Sequence, residues 1–288
     1  MPETVVLDNS ALSYLCDSRC SRADRKILHS LVKSGEVRIR PSYYLAFEAA
    51  GLLVAGKGNF FLEKLQELMV LTNGSIKKPA YNLKKRLDFE KENGRAFRET
   101  ELLTDWTPEV KKWLSGKTSG ARYLHLLVVR EKAMIDDLER RSMLTDKASL
   151  NPAELQALLK QKDVFSRPLK AIREYVADIC YGPGGLPRSL DAEKLPTWWA
   201  WSARCAQKES EEASRRLTEV GKPDGPDVVY FADAAYADVL VAVDRPFLRW
   251  AGELVSLGVV DRPRCVLSPA DLLSFRWRNQ PGRVVTPA

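Results

Sequence analysis

Two short runs of β-branched and aliphatic residues lie near opposite ends of the chain, and each ends in an aspartate: Val5-Val6-Leu7-Asp8 and Val239-Leu240-Val241-Ala242-Val243-Asp244. Runs of this kind read as strands buried in a parallel sheet. A carboxylate just past the last buried residue lies at the carboxyl edge of that sheet, where open α/β folds bind ligands. A single sheet containing both runs has to be assembled from the two ends of the chain.

The segments around the runs agree with this. Residues 1–56 read as β-α-β-α. A charged helix spans Arg22 to Ser34 and stops at Gly35, as helices do before a C-terminal glycine. Val37-Arg38-Ile39-Arg40 alternates like a strand, and Pro41-Ser42 then opens an apolar helix from Tyr43 to Val54. The pattern returns at 224 with a helix over 225–237, strand 239–243, a helix over 246–257 and a strand over 264–267. Ser268 caps a last helix with Pro269 at its first position, and 279–288 reads as a frayed tail. Residues 57–223 differ: amphipathic helices dominate at 59–71, 83–99, 107–115, 121–142, 152–162, 166–180 and 197–219. A Pro/Gly loop lies at 182–187. The expected architecture is one α/β domain built from 1–56 plus 224–288, with strand-helix-strand units making a parallel sheet, interrupted by a large all-helical insertion over 57–223.

The formal charge of +7 and pI near 9.1 favour polyanionic partners. Five cysteines without a CxxC pair, and two histidines without metal-ligand spacing to them, argue against a zinc site or a disulfide framework. No apolar run reaches membrane-spanning length, and the start of the chain has no leader pattern. The expectation is a soluble, cytoplasmic protein with reduced thiols.

Four acids share the expected carboxyl edge. Asp8 and Asp244 end their strands. Asp227 opens the helix that feeds strand 239–243 and so starts at the same edge. Glu48 is placed in the second turn of the helix after strand 37–40 and can reach back. Asp238 starts its strand at the opposite edge, and Asp233 lies two turns along its helix, facing away from Asp227. Clustered carboxylates repel unless neutralised, and Mg²⁺ or Mn²⁺ suits an all-oxygen site. Simpler readings stay open for each acid: Asp8 as a helix cap, Asp227 as a dipole partner, Asp244 as the start of a turn, and Glu48 on a solvated face.

The same residues resemble the PIN-domain family. Val5-Val6-Leu7-Asp8-Asn9-Ser10-Ala11-Leu12 is similar to its opening strand. Pro41-Ser42-Tyr43-Tyr44-Leu45-Ala46-Phe47-Glu48 resembles the segment carrying its second acid. Asp227 through Phe247 is similar to its most recognisable stretch, and Val266 through Leu273 to its closing strand and helix. The resemblance covers roughly the first 56 and last 65 residues. It implies a Rossmann-like three-layer α/β/α fold and Mg²⁺- or Mn²⁺-dependent ribonuclease activity on single-stranded RNA. It implies metal roles for Asp8, Glu48, Asp227 and Asp244, and a supporting role for Ser10. Many family members are toxins, which would imply an antitoxin as protein partner. Two departures stand out. Ala242-Val243 occupies a place where the family has a small polar residue, and the insertion is far larger than in small toxins.

Arg245 and Arg249 follow Asp244 at the same edge and are the strongest candidates for binding nucleic acid, with RNA favoured over DNA. The basic stretch 77–98, with Tyr81, Phe89 and Phe97 interleaved, could track phosphates and stack bases; the plainer reading is a charged helix face. Trp198, Trp199 and Trp201 read first as core. No Ser–His–Asp arrangement competes with a metal mechanism, and Asp8-Asn9-Ser10 lacks the second acid of a DxD phosphohydrolase. The alternative to a nuclease is a catalytically inactive PIN-like module whose helical insertion is the working surface.

Overall fold

The computed structural model describes residues 2–17, 20–142, 163–214 and 225–275. Asp224, the expected helix at 152–162, Arg276, Arg278 and the tail lie outside them. The two ends of the chain form a four-stranded parallel sheet of order β2-β1-β5-β6. Its members are β1 (Glu3–Leu7), β2 (Val37–Pro41), β5 (Val239–Val241) and β6 (Cys265–Leu267). Val5 pairs with Ile39 on one side and with Val239 on the other, and Val241 pairs with Leu267. Val5, Val6, Leu7 and Val239 to Val241 are fully buried, which is why these strands read as continuous apolar runs.

The helices of the α/β part are α1 (Asn9–Cys16), α2 (Arg22–Lys33), α3 (Leu45–Val54), α11 (Pro226–Ala234), α12 (Arg245–Ser256) and α13 (Pro269–Ser274). α3 begins two residues later than its apolar pattern predicts, which moves Glu48 from the second turn into the first. Ser268 and Asp271 cap α13 reciprocally, with Pro269 inside its first turn.

The intervening segment contributes α4 (Gly58–Leu71), α5 (Leu83–Asn93), α6 (Glu99–Leu102), α7 (Thr107–Leu114), α8 (Ser119–Ser142), α9 (Leu169–Cys180) and α10 (Pro196–Ser214). It is not all-helical: β3 (Lys77–Pro79) and β4 (Leu103–Asp105) pair antiparallel. These strands are three residues each and carry no two-residue period, so pattern reading misses them; pairing with each other is what makes them strands. The expected helix over 83–99 ends at Asn93, because Gly94 adopts a left-handed conformation (φ 61°). The loop at 182–187 needs Gly185, where a Cβ would sit 2.2 Å from the Cys180 carbonyl oxygen.

Buried side chains of this segment and of the α/β part form one contiguous core. α8 packs along α3, and α10 packs against α11. Trp198, Trp199 and Trp201 are core residues; the indole N–H groups of Trp198 and Trp199 donate to Leu87 O (2.7 Å) and Val259 O (2.6 Å). Two buried polar clusters stitch the parts together. Glu90 on α5 accepts from the Thr197 and Trp198 backbone N–H groups (3.1 and 3.0 Å) and the Thr197 hydroxyl (2.7 Å) at the start of α10, where free N–H groups favour a carboxylate. Tyr236 also donates to Glu90. Arg86, on the same helix, is fully buried and pairs with Asp233 of α11 at 2.6 Å. Asp233 also accepts from Ser42 and from the Tyr43 N–H.

Removing one partner of a buried pair leaves an uncompensated charge, whereas neutralising both partners together is far milder. Asp233→Ala is therefore expected to destabilise by about 3–5 kcal/mol. Arg86→Met combined with Asp233→Asn, which removes both charges and keeps an acceptor for Ser42 and the Tyr43 N–H, should lose much less, and chemical denaturation of the variants measures the difference.

Candidate functional site

The strand order has one switch point. From β1 the chain moves outward to β2, and later returns to β5 on the other side of β1. The crevice past the carboxyl ends of β1 and β5 is thus where an open α/β sheet binds ligands. Asp8 and Asp244 follow those two strands.

Asp8 is 4% exposed. Its backbone N–H donates to Val241 O (3.0 Å), continuing the β1–β5 ladder by one residue. The side chain is the N-cap of α1, with Oδ1 accepting from Ala11 N–H at 2.5 Å. Oδ2 accepts from the Ser10 hydroxyl at 2.5 Å, and Ser10 Oγ itself accepts from Val243 N–H at 3.1 Å. Ser10 therefore braces Asp8 against the backbone that leads to Asp244. Burial raises the Asp8 pKa to about 6, the Ser10 and Ala11 hydrogen bonds oppose the rise, and the Asp244 charge adds to it.

Glu48, from the first turn of α3, accepts from Tyr230 OH at 2.6 Å. Burial raises its pKa to about 7; the Tyr230 hydrogen bond counters this, and the Asp8 charge adds to it. Tyr230 is buried on α11, and burial together with Glu48 pushes its pKa well above 10, so it stays a donor. Asp244 is exposed and caps α12, with Oδ1 accepting from Phe247 N–H at 3.0 Å. Asp227 stands half-buried in the first turn of α11, the helix whose Tyr230 reaches Glu48. Arg245 and Arg249 are exposed one turn apart on α12, on a shared face.

Asp8, Glu48 and Asp244 are thus linked electrostatically, with Ser10 as a brace. A ready-made cage is another matter: among the described residues no group of three or more His, Cys, Asp or Glu side chains is arranged to hold a metal ion. The donor chemistry still fits Mg²⁺ or Mn²⁺. Mg²⁺ commonly uses one or two carboxylates and keeps waters for the remaining positions, and two desolvated carboxylates with raised pKa values are groups that a cation would relieve.

Two residues at the site escape sequence reasoning. Lys64 of α4 is 1% exposed, and its Nζ donates to Asn9 Oδ1 at 2.6 Å. Its signal was available: Phe61, Leu65, Leu68 and Leu71 form the buried stripe of α4, and Lys64 falls on that stripe. Tyr230 has no such mark, since Val228-Val229-Tyr230-Phe231 reads as core throughout. In the basic stretch 77–98 the aromatic side chains pack on one another. Phe89 stacks on Phe97 (centroids 3.8 Å), Tyr81 also stacks on Phe97, and Arg86 is consumed by Asp233. Lys78 lies over the Tyr43 ring at 4.7 Å, and burial lowers its pKa to about 8. A separate cavity of about 330 Å³ lies along the outer edge of β2, lined by Pro2, Arg38, Arg40, Ser75 and Lys77 among others, away from the acidic crevice. No helix of the described residues is long and apolar enough to cross a membrane.

A carboxyl group whose folded pKa is raised holds its proton after the unfolded chain has lost it, so the stability it contributes falls as pH rises between the two values. For Glu48 that window runs from 4.5 to about 7. Glu48→Gln keeps an acceptor for Tyr230 and removes the charge. In EDTA it is expected to melt above wild type at pH 8, with the difference vanishing below pH 4.5, as thermal denaturation at several pH values will show. No family model matches the chain, no curated protein matches it, and no solved structure matches it.

Proposed function

We propose that the chain is a metal-dependent nuclease of PIN-like, Rossmann-like three-layer architecture, hydrolysing phosphodiester bonds of single-stranded RNA. The observation that carries this reading is the pair of buried carboxylates Asp8 and Glu48 at the switch-point crevice, with the Asp8 charge raising the Glu48 pKa further. Asp8, Asp244, Asp227 and Glu48 are the groups that would hold Mg²⁺ or Mn²⁺. A bound ion of this kind supplies an activated water and neutralises charge on the phosphate. Ser10 and the Ala11 N–H hold the Asp8 carboxylate in one orientation, and Tyr230 does the same for Glu48. Arg245 and Arg249 attract backbone phosphates to the edge where Asp244 stands. A cytoplasmic setting goes with this reading, since none of the five cysteines is in a disulfide and cytosolic thiols stay reduced.

The second reading is a PIN-like binding module without catalysis, with the inserted segment as its working surface. What favours it is that no three acids in the described residues form a metal cage.

Labelled single-stranded RNA separates the two. Cleavage by wild type in Mn²⁺, lost in EDTA and reduced to background in Asp8→Asn, is the expected result. Equal cleavage by a folded Asp8→Asn rules out the mechanism, and no cleavage by folded wild type favours the binding module. Arg245→Ala with Arg249→Ala should weaken RNA binding across sequences and lower the slope of log K against log salt by about 1.4, at roughly 0.7 per phosphate contact on a single strand. Binding titrations at several salt concentrations read this directly.

A further inference from the structure

β2 is an edge strand of the sheet. The Glu3 N–H donates to Glu36 O at 3.0 Å, while Glu3 lies opposite Val37. In a parallel ladder with this register, Arg38 and Arg40 make the backbone bonds to β1, and the N–H and C=O groups of Val37 and Ile39 face outward. That outer edge is one wall of the cavity of about 330 Å³, a size at the lower end of pockets that bury small ligands, roughly 300–1,000 Å³. Val32, Leu71 and Leu103 add apolar wall. The cavity is separate from the acidic crevice, and its chemistry is independent of the nuclease reading.

Arg38, Arg40 and Lys77 line this cavity, and among the described residues no acidic side chain does. Arg38 pairs with Glu99 at 2.7 Å on the surface, and Lys77 is exposed. Arg40 differs from both. It is 4% exposed and forms no ion pair among the described residues; its Nη2 donates to the Asp233 carbonyl oxygen at 3.0 Å, and its Nε has no hydrogen-bond partner. The Asp233 carboxylate is itself engaged by Arg86 at 2.6 Å. Burial lowers the Arg40 pKa to about 10 against the opposing pull of Asp233, so the guanidinium is still charged at neutral pH. A buried charge is costly unless it is paired, and an unsatisfied buried donor points to an ion or ligand that completes it. The C-terminal ends of α2 and α4 border the cavity with partial negative charge, but capping N–H groups and Asn73 Nδ2, which donates to Val32 O at 3.1 Å, already bond carbonyls there. We propose that the cavity binds a small organic phosphate of mononucleotide size. A phosphate monoester carries about −1.5 to −2 charges at neutral pH, enough to offset Arg40 and Lys77 together. The organic body lies along the apolar wall and uses the outward N–H and C=O groups of Val37 and Ile39, which an inorganic ion would leave unused.

The test is calorimetric titration of adenosine monophosphate, uridine monophosphate and ribose phosphate into the full chain in EDTA, with inorganic phosphate and adenosine as controls and circular dichroism to check each fold. At least one of the three organic phosphates is expected to bind wild type, and to bind more tightly than either control. Lys77→Glu and Arg40→Met should each weaken that binding about tenfold or more, the scale of a lost hydrogen bond to a charged group. Arg245→Ala with Arg249→Ala should leave it unchanged. No binding of any organic phosphate by folded wild type at millimolar concentration overturns the proposal. Inorganic phosphate or adenosine binding as tightly as the organic phosphates overturns it too, since the site would then read only the charge or only the body. Binding that survives Lys77→Glu and is lost with Arg245 and Arg249 places the phosphate beside Asp244 and overturns the β2-edge site. Lys77 is exposed, so its variant decides the matter even if Arg40→Met does not fold.

Discussion

Parallel pairing of β1 with β5 sets Val5 beside Val239 and Leu7 beside Val241. Closing so long a loop costs entropy, although the cost grows only slowly with loop length. What offsets it is the burial of two apolar runs on both faces. The pairing makes the switch point and brings Asp8 next to Asp244. It also lets Ser10 accept a hydrogen bond from Val243 while donating to Asp8. If β1 and β5 slipped by one residue, the side chains would change faces and the Ser10 brace would be lost.

The inserted segment is a structural partner of the sheet as well as an addition to it. Glu90 and Arg86, both on α5, reach the start of α10 and the far part of α11. Lys64 of α4 reaches Asn9 at the start of α1. α8 lies along α3, the helix that carries Glu48. The same segment therefore covers the core and supplies a cation to the acidic crevice. The crevice holds carboxylates with raised pKa values because burial outweighs the hydrogen bonds that Ser10, Ala11 and Tyr230 provide. An arrangement of this kind is stable with protons or with a cation, and unfavourable with neither at neutral pH.

Reading along the chain recovers elements whose periodicity is local. The four sheet strands and the edge on which Asp8 and Asp244 fall follow from apolar runs bounded by turn residues. The helix that carries Glu48 follows from its apolar content, with an error of half a turn at its start. Segments whose structure depends on a distant partner are not recovered. β3 and β4 exist through each other, and Arg86, one cation among many in a basic stretch, becomes part of a buried ion pair only when the fold brings Asp233 of α11 to it. Lys64 gave a weak sign by sitting on an apolar stripe, but a lysine there reads equally as a stem lying along the core with its charge in water.

The residue pattern alone thus determined the α/β class, the parallel sheet made from both termini and the acids available at its carboxyl edge, because buried strands and helix caps are written in neighbouring residues. Which of those acids are desolvated, which one Ser10 braces, and that Lys64 and Tyr230 join them were decided only by the tertiary structure. Burial and electrostatic coupling depend on what packs around a group, and here the neighbours come from α4 and α11, far away along the chain.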